Sequence, residues 1–91
     1  MSIKIAGAEF DDVHYDARGD VLYLRVSPSR EPHRTLETPE GHAVDYDDRG
    51  NLIGMVLLNV RWTLERDGAI TLTWPAERLD ADQLQAALSA V

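Results

Sequence analysis

The chain has 91 residues, a formal net charge of −7 and no cysteine, which is enough for one domain that buries about 60–65% of the surface of its unfolded form. The negative charge repels phosphate and disfavours binding to DNA or RNA, and the lack of cysteine excludes disulfides and thiolate metal sites. With neither a basic, apolar leader nor a run of about 18 apolar residues, the chain is expected to be cytoplasmic and without a membrane segment.

The first predicted elements are a short edge strand and a β-hairpin. The edge strand covers residues 2–6, where Ile3 and Ile5 lie on the same side. In the hairpin, Val13 and Tyr15 share one side of the first strand. The turn Asp16-Ala17-Arg18-Gly19 follows, with glycine at the position where a positive φ is expected. The core face of the second strand contains Leu22, Leu24 and Val26.

The hairpin is repeated 31 residues later in the chain. Residues 13–26 read VHYDARGDVLYLRV, and residues 44–57 read VDYDDRGNLIGMVL. A polar connection at residues 28–41 separates the two copies, and it includes a short predicted strand around Arg34–Glu37. In the second copy the core face is repeated by Ile53, Met55 and Leu57.

The last strand of the second copy is apolar on both of its sides. Opposite the core face lie Leu52, Gly54, Val56 and Leu58. Such a pattern is typical of a strand at the centre of a sheet that is covered on both faces. A glycine in a buried strand favours the close approach of a helix or an aromatic ring to the backbone.

The remaining residues predict a closing hairpin at residues 61–74 and a helix at residues 80–90. Arg61–Glu65 and Ala69–Trp74 alternate on either side of Asp67-Gly68, which is a strong hairpin signal. Asp80 and Gln83 form a capping box, and the apolar stripe of the helix contains Leu84, Leu88 and Val91. The predicted fold is α+β, mostly β: one domain over residues 1–91, an antiparallel β-meander of five or six strands from a duplicated hairpin, and one C-terminal α-helix.

Two segments of the repeat carry a family pattern, YD…D-LY followed by DYD..G…G-L. The residues are Tyr15, Asp16, Asp20, Leu22 and Tyr23, then Asp45, Tyr46, Asp47, Gly50, Gly54 and Leu58. Through them, residues 10–60 resemble a family of short prokaryotic proteins known as domain of unknown function 2283 (DUF2283). Val56 departs from the pattern, since members often have an acid there. The family has no assigned activity, and because members are often neighbours of toxin-like proteins, the resemblance implies an antitoxin-like or partner-binding role.

Three residues are candidate metal ligands. His14 aligns with Asp45 in the repeat, which would place both on the same face of neighbouring strands, and His42 lies close by in sequence. Imidazole and carboxylate suit zinc, nickel or manganese, so the alternative function is a metal-dependent hydrolase using His14, His42 and Asp45. No ligand spacing, serine elbow or phosphate loop supports this alternative. The sequence therefore favours a protein that is not an enzyme, and it predicts no cofactor.

Exposed aromatic, aliphatic and arginine side chains are expected to form an interface, because aromatic and arginine residues dominate binding hot spots. One predicted helix cannot cover two apolar sheet faces, so a second copy or a partner should cover the remainder. The candidates are Tyr23, Arg25, Val56, Leu58, Trp62, Leu84 and Leu88. The principal hypothesis is a small cytoplasmic interaction module that forms a homodimer and offers an acidic surface to a basic protein partner.

Overall fold

The structure, a computed structural model, describes residues 2–28 and 31–89. The chain forms β1 (Ile3–Ile5), β2 (Ala8–Phe10), β3 (Asp12–Asp16), β4 (Val21–Arg25), β5 (Arg34–Glu37), β6 (Ala43–Tyr46), β7 (Leu52–Leu58), α1 (Val60–Asp67), β8 (Ala69–Leu72), β9 (Glu77–Asp80) and α2 (Ala81–Ser89). The α+β, mostly β fold class predicted from the sequence is confirmed.

Five antiparallel strands form the main sheet, in the order β3-β4-β7-β6-β5. The central position of β7, between β4 and β6, agrees with its apolar character on both sides. Because β4 pairs with β7 and not with β5, the sheet consists of two hairpin units placed side by side. β5 is the short strand predicted within the polar connection.

The two copies of the repeat meet back to back at the centre of this sheet. Leu24 on β4 pairs with Met55 on β7, and these two residues occupy equivalent positions, 31 residues apart. The flanking pairs are Tyr23 with Val56 and Arg25 with Gly54. In the repeat, Tyr23 is equivalent to Gly54 and Arg25 is equivalent to Val56, so each flanking pair is the counterpart of the other. The pairing therefore relates the two hairpins by an approximate two-fold axis through Leu24 and Met55.

The turns of the two hairpins differ in where the left-handed residue stands. Gly50 has a φ of 81°, as expected, but in the first turn the positive φ, 57°, belongs to Asp20 and not to Gly19. Asp16 and Asp47 nevertheless act alike, because the Oδ1 atom of each accepts backbone N–H groups of its own turn. Backbone geometry thus accounts for both aspartates of the family pattern.

A hydrophobic core lies on one face of the sheet. The hairpins β1–β2 and β8–β9 and the helix α2 contribute side chains to the same apolar cluster as the sheet. The fully buried members include Phe10, Leu22, Leu24, Met55, Leu57, Ile70, Leu79 and Leu84. Fully burying such a side chain stabilises the fold by about 1.5–3 kcal/mol, so these hairpins are integral to the domain.

The predicted strand at Arg61–Glu65 is wrong, because these residues belong to helix α1. Asn59, with a φ of 55°, turns the chain out of β7. The carboxylate of Asp20 then accepts the N–H groups of Arg61 and Trp62 at 2.8 and 3.0 Å, and so caps the helix from the first hairpin. These contacts satisfy donors that a helix start leaves without intrahelical partners.

The predicted closing hairpin at residues 61–74 is therefore also wrong. Gly68, with a φ of 80°, donates its N–H to the carbonyl of Leu64, so Asp67-Gly68 ends a helix instead of forming a hairpin turn. The strand that follows, β8, pairs with β9, a strand that is not among the predicted elements.

The C-terminal helix begins as predicted. Gln83 donates its N–H to the Asp80 carboxylate, and Asp80 donates its N–H to the Gln83 side chain, both at 3.0 Å. The described part of α2 ends at Ser89, and Ala90 and Val91, which the prediction included, lie outside the described residues. Neither helix within residues 2–28 and 31–89 has the length and the hydropathy of a membrane-spanning segment.

Candidate interaction surface

The face of the main sheet opposite the core is the candidate interaction surface, here called the open face. Side chains of directly paired residues point to the same side of a sheet, so the register identifies its members. They are Asp12, His14 and Asp16 on β3; Val21, Tyr23 and Arg25 on β4; Gly54, Val56 and Leu58 on β7; Ala43 and Asp45 on β6; and Thr35 and Glu37 on β5.

The centre of the open face is apolar and partly exposed. Tyr23 pairs with Val56, and Val56 pairs with Ala43, so three strands contribute one continuous row. Tyr23 and Leu58 keep 38% and 39% of their surface exposed. The ring of His14 stacks on that of Tyr23, with centroids 6.0 Å apart. A tyrosine held by a neighbouring ring loses little freedom on binding, which favours its use as an anchor.

Carboxylates surround this apolar row. Four acidic side chains, Asp12, Asp16, Glu37 and Asp45, share the open face with a single arginine, Arg25. Beside Val56 and Leu58 the surface forms a groove of about 400 Å³, and Thr35 and Glu37 form part of its wall. The open face therefore combines an apolar centre with a predominantly acidic rim.

The glycine on β7 makes room for an acid. A Cβ added to Gly54 would lie 3.0 Å from Oδ2 of Asp45, and the Oδ1 atom of Asp45 accepts a hydrogen bond of 2.6 Å from the Thr35 hydroxyl. The expectation that a helix or an aromatic ring approaches Gly54 is thus wrong. Because Gly54 has no side chain, the carboxylate of Asp45 has room to lie against β7.

The candidate metal ligands are not brought together. His14 and Asp45 share the open face, but β4 and β7 lie between their strands, which corresponds to roughly 14 Å at ordinary strand spacing. Repeat alignment predicted the face correctly and the neighbouring strands incorrectly. Within residues 2–28 and 31–89, no group of three or more histidine, aspartate or glutamate side chains has a geometry that could hold a metal ion. His14 and Asp45 are therefore not placed to bind one metal ion together.

His42 has a structural role at the end of β7. The ring Nδ1 atom of His42 accepts the backbone N–H of Leu58 at 3.0 Å, and the backbone N–H of His42 donates to the Thr38 hydroxyl at 3.1 Å. Since Nδ1 acts as an acceptor, the proton of the neutral ring is on Nε2. Burial lowers the pKa of His42, while the negative charge of Glu40 opposes that shift.

The lowered pKa of His42 predicts a dependence of stability on pH. The unfolded protein binds a proton at this ring below about pH 6.5 more readily than the folded protein does, so the free energy of unfolding should fall as the pH decreases below that value. Urea unfolding at a series of pH values would measure this slope. His42→Gln, which keeps an acceptor for Leu58 and does not titrate, should flatten it. His14→Gln, which changes an exposed histidine, is the matched control. An unchanged slope in His42→Gln would contradict the assignment of this pH dependence to His42.

The predicted interface residues separate into three groups. Tyr23, Arg25, Val56 and Leu58 lie together on the open face. Leu84 and Leu88 are core residues of the monomer, so their assignment to an interface is wrong, because the stripe of α2 packs inside the domain. Trp62 is 55% exposed, and it lies on α1 beneath the guanidinium of Arg66, whose Cζ is 4.2 Å from the indole centroid.

Asp20 is a structural residue whose partners are distant in sequence and could not be predicted from local patterns. Besides capping α1, its carboxylate accepts a 2.6 Å hydrogen bond from the Tyr15 hydroxyl. Burial of Asp20 opposes ionisation, but the hydrogen bonds from Tyr15, Arg61 and Trp62 outweigh it and lower the pKa of this carboxyl. Burial and the adjacent carboxylate raise the pKa of Tyr15 to about 12. In this chain, two residues of the family pattern therefore attach α1 to the first hairpin.

Comparison with known proteins identified the family of the chain. The family model described as "Protein of unknown function (DUF2283)" matches residues 12–61, which is more than half of the chain. No curated protein and no solved structure matched the sequence. The match covers β3 to β7 and the start of α1, and it includes every strand of the open face.

Proposed function

The chain belongs to the DUF2283 family, and from this premise we propose that it is a protein-interaction module whose open face binds a basic partner protein. The observation that carries the proposal is the partly exposed apolar centre of the open face, with Tyr23, Val56 and Leu58, inside a rim of carboxylates. Apolar area with an aromatic anchor supplies affinity, and a charged rim supplies orientation and association rate. An antitoxin-like protein, which neutralises a partner by covering it, is one form that this function can take.

Charge favours a basic partner over a second copy as the occupant of the open face. If two copies docked with their open faces together, the four carboxylates of one copy would lie opposite the four carboxylates of the other. Each face would contribute one arginine. Like charges brought together at an interface cost several kcal/mol, on the order of the energy that a hot-spot residue contributes. Self-association, which the sequence predicted, stays a prediction, and the experiment below distinguishes it from partner binding.

The first test is capture of the partner from the source cells with the intact protein and with Tyr23→Asp. A specific partner is retained by the intact protein and lost with the variant, because a buried carboxylate would replace the anchor. The same change at Trp74, an exposed aromatic in the turn after β8, is the matched control and should retain the partner. Light scattering of the protein alone should give the mass of a monomer. A dimer that Tyr23→Asp dissociates would instead make a second copy the occupant.

The affinity for the captured protein, measured by calorimetry, should fall at least about tenfold between about 50 and about 500 mM salt. The double variant Asp12→Asn/Glu37→Asn should weaken binding at low salt and reduce the salt dependence, because both side chains are exposed rim carboxylates. A partner that binds equally well at both salt concentrations, or that binds Tyr23→Asp as tightly as the intact protein, would contradict the proposal.

A further inference from the structure

A cleft of about 520 Å³ lies between α1, the β8–β9 hairpin and the turn before β6. Its walls include Trp62 and Arg66 from α1, Arg78 from β9, and Glu40 and His42 from the turn. The volume falls within the range of roughly 300–1,000 Å³ that is usual for small-molecule sites. Much of this cleft lies outside the residues that match the family model, which end at position 61.

The carboxylates of the cleft already have hydrogen-bond donors. Glu40 accepts the hydroxyl of Thr73 at 2.7 Å and its N–H at 3.3 Å. The Asp67 carboxylate accepts hydrogen bonds from both Nε and Nη2 of Arg66, at 2.9 and 2.8 Å. The same guanidinium lies over the ring of Trp62, so Trp62, Arg66 and Asp67 form one preorganised wall. A cation entering the cleft would compete with these contacts.

Asn59, Thr63 and Thr71 line the cleft with side chains that can both donate and accept, and two further groups of the lining can only donate. Among the described residues, the Arg78 guanidinium has no hydrogen-bond or ion-pair partner. His42 is only 5% exposed, and with Nδ1 held by Leu58 its Nε2–H also has no partner there. No buried side-chain nitrogen of the described residues is without a partner, so this Nε2–H is accessible, and the His42 ring lines both the cleft and the groove beside Val56 and Leu58. Two donors without acceptors call for a ligand that accepts.

From this arrangement we propose that the cleft binds a small anion, a carboxylate or a phosphate, held by Arg78 and His42. The planar guanidinium offers paired N–H groups that match two oxygens of either group, and the neutral imidazole contributes one further donor. Trp62 forms an apolar side wall against which the body of an organic acid can lie. Arg78 and Trp62 lie outside the open face, whereas His42 and Leu58 line both this cleft and the groove of the open face.

Calorimetric titration at about pH 7.5, where the His42 ring is neutral, tests the proposal with inorganic phosphate and, separately, with benzoate. At least one anion should bind at a stoichiometry of one, and Arg78→Gln should weaken it by about tenfold or more. Binding of phosphate alone would assign the site to phosphate, and binding of benzoate alone would assign it to organic acids. Arg25→Gln removes an exposed arginine from the open face and should leave the affinity unchanged.

Nitrogen-15 spectra of the histidine rings provide a second readout that does not depend on a variant. The Nε2 resonance of His42 should shift in proportion to site occupancy, whereas the exposed ring of His14 should not respond. If neither anion binds, if Arg78→Gln binds as tightly as the intact protein, or if the His42 resonance does not move at saturation, the site is not an anion site.

Discussion

Phe10→Ala is expected to lower the free energy of unfolding by about 3–5 kcal/mol, the usual cost of removing a fully buried aromatic ring. Phe10 is fully buried, and it pairs with Ile3 in the β1–β2 hairpin. This hairpin lies before residue 12, where the family match begins, and yet its side chains belong to the same core as the sheet. For a small domain such a loss is a large part of the total stability.

Urea unfolding monitored by circular dichroism would measure the effect of Phe10→Ala. Glu9→Ala is the matched control, because Glu9 is exposed on the same strand, and its effect should stay within about 0.5 kcal/mol. A loss of less than about 1 kcal/mol for Phe10→Ala would mean that the N-terminal hairpin contributes little to the core, against the burial of its side chains.

Asp20→Ala is expected to lower the free energy of unfolding by about 2–3 kcal/mol, from the loss of a helix cap and of charged hydrogen bonds. The variant leaves the N–H groups of Arg61 and Trp62 without their acceptor, and it removes the partner of the Tyr15 hydroxyl. Asp20→Asn keeps one acceptor oxygen without the charge and should show an intermediate loss. Chemical unfolding of both variants measures the difference.

The pH dependence of the same interaction provides an independent check. The pKa of Asp20 is lower in the folded protein than its ordinary value of 3.8, so its contribution is present above that pH and is lost as the pH falls through the folded value. Asp48→Ala is the matched control, since Asp48 is exposed in the second turn. If Asp20→Ala lowered the free energy of unfolding no more than Asp48→Ala does, the stability of α1 would not depend on its attachment to the first hairpin.

The sequence was most informative where structure is local or repeated. The duplicated hairpin, the central position of β7 and the capping box of α2 all follow from alternation, turn residues and short-range spacing. α1 could not be predicted in this way, because Trp62 and Leu64 fit a strand as well as a helix. What starts this helix is Asp20, which is 41 residues away from Arg61 in the chain.

The candidate sites, like the fold, could be predicted from the sequence only in part. Alternation correctly placed Tyr23, Val56 and Leu58 on one face, because the side-chain period of a strand is independent of its neighbours. Strand order depends on which hairpins pair, and here β4 and β7 come between His14 and Asp45. The cleft beside α1 left no local signal, since its walls come from three segments that are distant in sequence.

The approximate two-fold axis through Leu24 and Met55 has a consequence for recognition. Two identical hairpins would present a surface that looks the same after half a turn, and a ligand could dock on it in two opposite directions. Here Tyr23 stands on one side of the axis where its counterpart, Gly54, accommodates a carboxylate on the other. The rim has two carboxylates in each half, so it is the aromatic ring of Tyr23, with no counterpart at Gly54, that makes the open face asymmetric about the axis. A partner of the kind proposed above would meet a different surface after half a turn, which favours a single orientation of docking.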